Sequence, residues 1–128
     1  MPVNILKRKT FKTKIHFIKT KATKEQILEM LSTLESYIKV AVDIDQEILA
    51  GGGVMHADCE RILIESGSKQ RNIWGADWYP KEKRVAFGSL INIARQVKKG
   101  VRLTEPMQIK DIKVREKVEQ IIRARLEK

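Results

Sequence analysis

The alternation of apolar and polar residues divides the chain into short elements. Residues 13–19, TKIHFIK, alternate with Ile15 and Phe17 on one side and Lys14 and His16 on the other, which predicts a strand. Thr23-Lys24-Glu25-Gln26 then reads as a capping box, in which the threonine hydroxyl accepts from the Gln26 amide and the glutamine side chain reaches back. Ile27, Met30, Leu31 and Leu34 follow at i, i+3, i+4 and i+7, so a one-sided helix is expected over 23–36. In YIKVAVDI the period returns to two: Ile38, Val40, Val42 and Ile44 form one face, Lys39, Ala41 and Asp43 the other.

The next stretch carries three glycines, AGGGVMHADCERILI. Glycine tolerates the positive φ of tight hairpin turns, so a turn on Gly51-Gly52 is expected, with a returning strand from Val54 to Ile64. In that register Ile48 faces Met55 and Ile44 faces Cys59 on an apolar side. The other side pairs Glu47 with His56, Asp45 with Asp58 and Asp43 with Glu60; a slip of one residue would mix the two faces. GSKQ at 67–70 marks a turn, and NIWGADWYP reads as an irregular strand ended by Pro80. RVAFGSLINIA reads as another strand, with Val85, Phe87, Ser89, Ile91 and Ile93 on one face. A loop over 96–106 leads to Asp111, which can cap a last helix striped by Val114, Val118, Ile121, Ile122 and Leu126. The expected fold is a two-layer α+β domain: four or five mainly antiparallel strands against two amphipathic helices, near 23–36 and 111–126. The first ten residues read as a loose basic tail, and 11–128 as a single domain.

Bulk properties narrow the class. A chain of 128 residues, 42% hydrophobic, is long enough to bury a core without a metal or disulfide. The single cysteine, Cys59, cannot pair within the chain, which favours a compartment where thiols stay reduced. No apolar run approaches the roughly 18 residues of a membrane span, and the basic start lacks a signal-peptide core. A cytoplasmic location and no membrane partner are therefore expected. Charge is uneven: residues 1–24 carry 8 bases and no acid, 25–67 carry 2 bases against 9 acids, and 68–128 carry 16 bases against 7 acids. The net charge of +10 attracts polyanions, although lysine-rich surfaces also serve solubility alone.

Two constellations are candidates for chemistry. The hairpin would gather carboxylates and one imidazole on one face, and Asp45, Glu47, His56 and Asp58 are then plausible ligands for a divalent metal that activates water in a hydrolase or nuclease. A lysine-paired or solvated sheet face explains the same residues without a metal. The second constellation is basic and aromatic. Trp74 and Trp78 beside Lys69 and Arg71 could stack on bases while the cations hold phosphates, and Arg95, Lys98, Lys99 and Arg102 form a basic loop suited to an anion. A small binding module for nucleic acid or another acidic partner, such as an acidic protein, is the reading that asks least of the chain. Cys59, on the apolar side of the expected hairpin, reads as a buried structural thiol rather than a nucleophile. Neither GxSxG, a P-loop, CxxC nor HExxH occurs, and the glycine run lacks the strand–loop–helix setting of a phosphate site.

The stretches AGGG at 50–53, HADCE at 56–60, GS at 67–68, WGA at 74–76 and SLINI at 89–93 resemble a small bacterial family described only as a domain of unknown function. The likeness spans roughly Val42 to Ile93 and weakens into the last helix; it departs at ARQVKKGVR, which follows SLINI. The resemblance implies a single compact domain and brings no activity, cofactor or partner.

Overall fold

The computed structural model describes residues 14–97 and 103–128. The expected N-terminal tail, and Lys98, Lys99 and Arg102 of the basic loop, lie outside the described residues. The elements are β1 (His16–Ile18), α1 (Lys24–Leu31), β2 (Ile38–Asp43), β3 (Ile48–Gly51), α2 (His56–Glu65), β4 (Ile73–Tyr79), β5 (Arg84–Ala86), α3 (Ile91–Gln96) and α4 (Ile112–Leu126). The five strands form one sheet in the order β1-β3-β2-β4-β5, and every pairing is antiparallel. The protein is thus an α+β fold, with the mainly antiparallel sheet that the sequence implies.

Both expected helices form for the expected reasons. The Gln26 amide donates to Thr23 Oγ1 at 3.1 Å, and Thr23 N–H donates to the Gln26 side chain at 2.9 Å, which closes the capping box of α1. Asp111 Oδ1 accepts from the Lys113 and Val114 amides at the start of α4. Helix α1 stops at Leu31 rather than running to Ser36.

The central hairpin differs from the expected one. Strand β2 returns as β3 after the four residues 44–47, with Val40 opposite Gly51 and Asp43 opposite Ile48. The turn is built by a side chain: Asp43 Oδ1 accepts from the amides of Asp45 and Gln46 at 2.9 and 3.0 Å, and Glu47 takes φ 60°. Of the glycines thought to make the turn, Gly52 has φ 103°, and a Cβ there would lie 2.1 Å from the Lys14 carbonyl oxygen. Glycine is needed at that position for a close chain crossing, not for a hairpin.

The returning strand expected over 54–64 is instead helix α2. His56, Cys59, Glu60 and Leu63 are its buried residues, and their spacing is i, i+3, i+4, i+7. Asp58, three residues into the start, accepts from the Met55 amide at 3.2 Å and places a negative charge at the positive end of the helix dipole. The strand expected over 84–94 is also shortened. It ends at Ala86, and residues 91–96 form α3.

These two helices add a layer, so the two-layer count is corrected to three. Helices α1 and α4 cover one face, where Val40, Val42, Trp74, Ala76, Trp78 and Ile122 share a core. Helices α2 and α3 cover the other, where Ala41, Ala50, Cys59, Leu63 and Ile73 share a second. Strand β2 is consequently buried on both sides; Ala41 and Asp43, on the face opposite Val40 and Val42, are 0% exposed. Helix α3 comes close because Gly75 has no side chain: a Cβ there would lie 2.5 Å from that of Ser89. Asn92 then takes over unpaired backbone groups, accepting from Gly75 N–H at 2.8 Å and donating to the Gly75 and Met107 carbonyls at 3.0 Å each. Among the described residues, no helix is long and apolar enough to cross a membrane.

Candidate active site

The α2/α3 face of the sheet is not closed at the start of α2. A cavity of about 400 Å³ opens there, floored by Lys39 of β2, Asp77 of β4, His56 of α2 and Ser89 ahead of α3. Sheet register brings the first two together, because Lys39 is the direct cross-strand partner of Asp77. Alternation points both toward the α2/α3 layer, since Trp74, Ala76 and Trp78 take the other face of β4. Helix α2 then delivers His56 as its first residue, 9% exposed.

The imidazole is held firmly. His56 Nε2 lies 2.8 Å from Asp77 Oδ1 and 3.1 Å from the Ala76 carbonyl oxygen. A carbonyl only accepts, so Nε2 carries a proton and donates to both oxygens. Nδ1 forms no hydrogen bond with any described residue, and it is not among their sealed, unpartnered atoms. In the neutral imidazole Nδ1 is therefore an unpartnered lone pair on a residue that lines the cavity. A carboxylate on one ring nitrogen that leaves the other free to take a proton is the arrangement of acid–base histidines in general. Lys39 is half-buried, and its ammonium has no carboxylate within 4.0 Å among the described residues. Tyr37 completes one wall: its ring stacks on Tyr79 with centroids 4.9 Å apart, and Arg84 lies 4.1 Å over Tyr79.

The metal ligands suggested by the sequence do not converge. His56 turns to Asp77, and Asp58 caps the Met55 amide. Glu47 pairs with Lys117 of α4 at 2.5 Å, and Asp45 sits in the β2–β3 turn. That turn continues from Asp43, which pairs with Ile73, four residues along β4 from Asp77, or roughly 13 Å at strand spacing. Among the described residues, no group of three or more His, Cys, Asp or Glu is placed to hold a metal ion.

The stacking platform also comes apart. Trp74 and Trp78 are 8% and 2% exposed, packed in the core under α4, so neither offers a ring face to a base. Arg95 is a clamp inside the second helical layer. It pairs with Glu60 of α2 and donates from Nε to the Ile73 carbonyl at 2.9 Å. Lys69 and Arg71 remain exposed near the short turn at 70–72. Cys59 is fully buried, as its residue type suggests, and burial pushes its thiol up to about 12, which removes it as a nucleophile.

Of the residues that line the cavity, local pattern in the chain marks His56 but not Asp77, Lys39, Tyr37 or Ser89. One available signal was the helical period of HADCERILI, which places His56 on the buried face with Cys59, Glu60 and Leu63. The pairing with Asp77, 21 residues away, is set by strand register and helix placement, which no local pattern reveals.

Residues 16–125 match the family described as "Protein of unknown function (DUF5674)". No curated protein and no solved structure matches the chain.

Proposed function

Because the chain belongs to this family, whose description carries no chemistry, we propose a function from the cavity itself: the protein binds a small molecule there, and His56 exchanges a proton with it. The observation that carries the reading is the Asp77–His56 pair, with Nε2–H fixed by two acceptors and Nδ1 left without a protein partner on a residue that lines a cavity of about 400 Å³. That volume lies within the range usual for small-molecule sites, about 300–1,000 Å³. Asp77 orients the ring and offsets the charge that appears when Nδ1 takes a proton. A histidine serving only to tie α2 to β4 would need the same bond to Ala76, but would have no use for an open cavity at its other nitrogen.

The test is the tautomer of neutral His56, read by long-range proton–nitrogen NMR of the imidazole. The expected form carries its proton on Nε2. A proton found on Nδ1 would leave the cavity facing a donor rather than a base, and the reading would fall. Binding of nucleic acid or an acidic protein retains the support of net charge +10 and of exposed Lys69 and Arg71. It has lost the aromatic platform, and we rank it second.

A further inference from the structure

We propose that the molecule taken up by this cavity is a small amphipathic acid, with one anionic head, carboxylate or phosphate, on an apolar body. The inference rests on the reading of the cavity as a ligand site and adds the class of ligand. The head is specified by what the floor lacks. Lys39 lines the cavity half-buried, and the carboxylate directly across the strands from it, Asp77, is hydrogen-bonded to His56. Residues outside the described range add no candidate partner, because 1–13 and 98–102 contain no Asp or Glu. With no carboxylate within 4.0 Å among the described residues, the Lys39 ammonium is free to form a charge-assisted contact with an anion in the cavity. The same spot receives the start of α2, where the His56 and Ala57 amides have no acceptor among the described residues. An anion placed against Lys39 would meet the positive end of the helix dipole as well.

The body is specified by the rim. Met55, Leu90 and Met107 border the cavity and are 51%, 65% and 43% exposed. They come from the residue before α2, the residue before α3 and the segment ahead of α4, and exposed large hydrophobics from such separate stretches converge here on one opening. Methionine thioethers adapt to varied shapes and favour aromatic neighbours, and the Tyr37 ring, backed by Tyr79, offers a flat wall beside them. A fully hydrated inorganic anion would leave this rim bare, and an apolar molecule without a charge would leave Lys39 unpaired. An amphipathic acid meets both demands.

The experiment is a set of amide-NMR titrations of the full chain with five matched probes: phenylacetate, phenyl phosphate, neutral phenylacetamide, cationic phenethylamine and acetate. One of the two aromatic acids is expected to shift the amides of Tyr37, Lys39, Met55 and His56 saturably. It should bind at least about tenfold more tightly than the amide, the amine or acetate, the gain of one charge-assisted contact. Which acid wins distinguishes a carboxylate ligand from a phosphate. Lys39→Met should weaken the preferred acid by about tenfold and leave the amide unchanged. If Lys39→Met fails to fold, Leu90→Asp at the exposed rim tests the same point by repulsion, and weaker acid binding is expected there too. An amide or amine that binds as tightly as the acids overturns the proposed ligand class while the cavity stays a ligand site. Acid-induced shifts confined to other basic surfaces overturn it as well. If no probe shifts the cavity amides, both the class and the ligand-site reading fall together.

Discussion

The two faces of the sheet are built on different chemistry. Under α1 and α4 the core is filled by apolar side chains, Met30, Ile38, Val40, Leu49, Trp78, Val118 and Ile122 among them, and the indole nitrogens of Trp74 and Trp78 are sealed there without a partner. Under α2 and α3, smaller apolar residues share the space with buried His56, Glu60, Ser89 and Asn92, each with a hydrogen-bond partner, which for the Ser89 hydroxyl is the Ile91 amide. The first face is stabilised by area removed from water and tolerates imprecision in shape. The second depends on partners being present, because a buried polar group that loses its partner costs more than the bond itself was worth. The open cavity lies on the second face. Specific polar geometry can be presented to a ligand there, and a face filled by Trp74 and Trp78 offers none.

The largest expected effect would break this contrast if it failed. Arg95 and Glu60 form an ion pair with side chains 7% and 11% exposed. Arg95→Leu strands a buried carboxylate and should destabilise the protein by about 3–5 kcal/mol in chemical denaturation. Adding Glu60→Leu should recover most of that loss, because the uncompensated charge has gone. On the apolar face Ile122→Ala should cost about 2–5 kcal/mol, and no partner substitution of comparable simplicity restores it. If the double variant is no better than Arg95→Leu alone, the second face is held by packing, as the first is.

The same contrast explains what could be read from the chain. The apolar face follows the periodicities that the hydrophobic effect imposes, so Thr23 and Asp111 mark where its helices start, and Val114, Val118, Ile121 and Ile122 mark the inner side of α4. On the polar face the markers are ambiguous. His56, Asp58 and Glu60 recur every second residue, as in a half-exposed strand, yet His56 and Glu60 also lie four apart, on one side of a helix. Three preceding glycines favoured the strand, while the real turn was encoded by the side chain of Asp43. Of the site, His56 was legible as a residue type. Its partner was not, because strand pairing between β2 and β4 sets which carboxylate faces it.

A smaller expected effect concerns the entry to that face. Asp58 accepts from the Met55 amide at the start of α2, directly beside the cavity. Asp58→Ala should cost about 1 kcal/mol, typical of a lost cap. It should also raise amide hydrogen exchange through the first turn of α2 while α4 exchanges as before. Uniform loosening of both helices would mean that the two layers do not respond separately.

The smallest effect sharpens the comparison by placing the same chemistry in water. Glu47 and Lys117 form an ion pair at the solvent edge of the α4 layer, with side chains 52% and 36% exposed. The hydrogen bond and charge of Lys117 hold the Glu47 carboxyl below its usual range. A lowered folded-state value stabilises the fold above the unfolded-state value, and the contribution is lost as pH falls through the folded one. Glu47→Gln should therefore be slightly less stable than the parent at neutral pH, with the difference vanishing toward acid and shrinking in high salt, where exposed pairs are screened. Denaturation midpoints taken in parallel across acid pH check this directly. A Glu47→Gln deficit as large as that of Arg95→Leu would show that burial does not separate the two pairs, and the distinction between the faces would lose its physical basis.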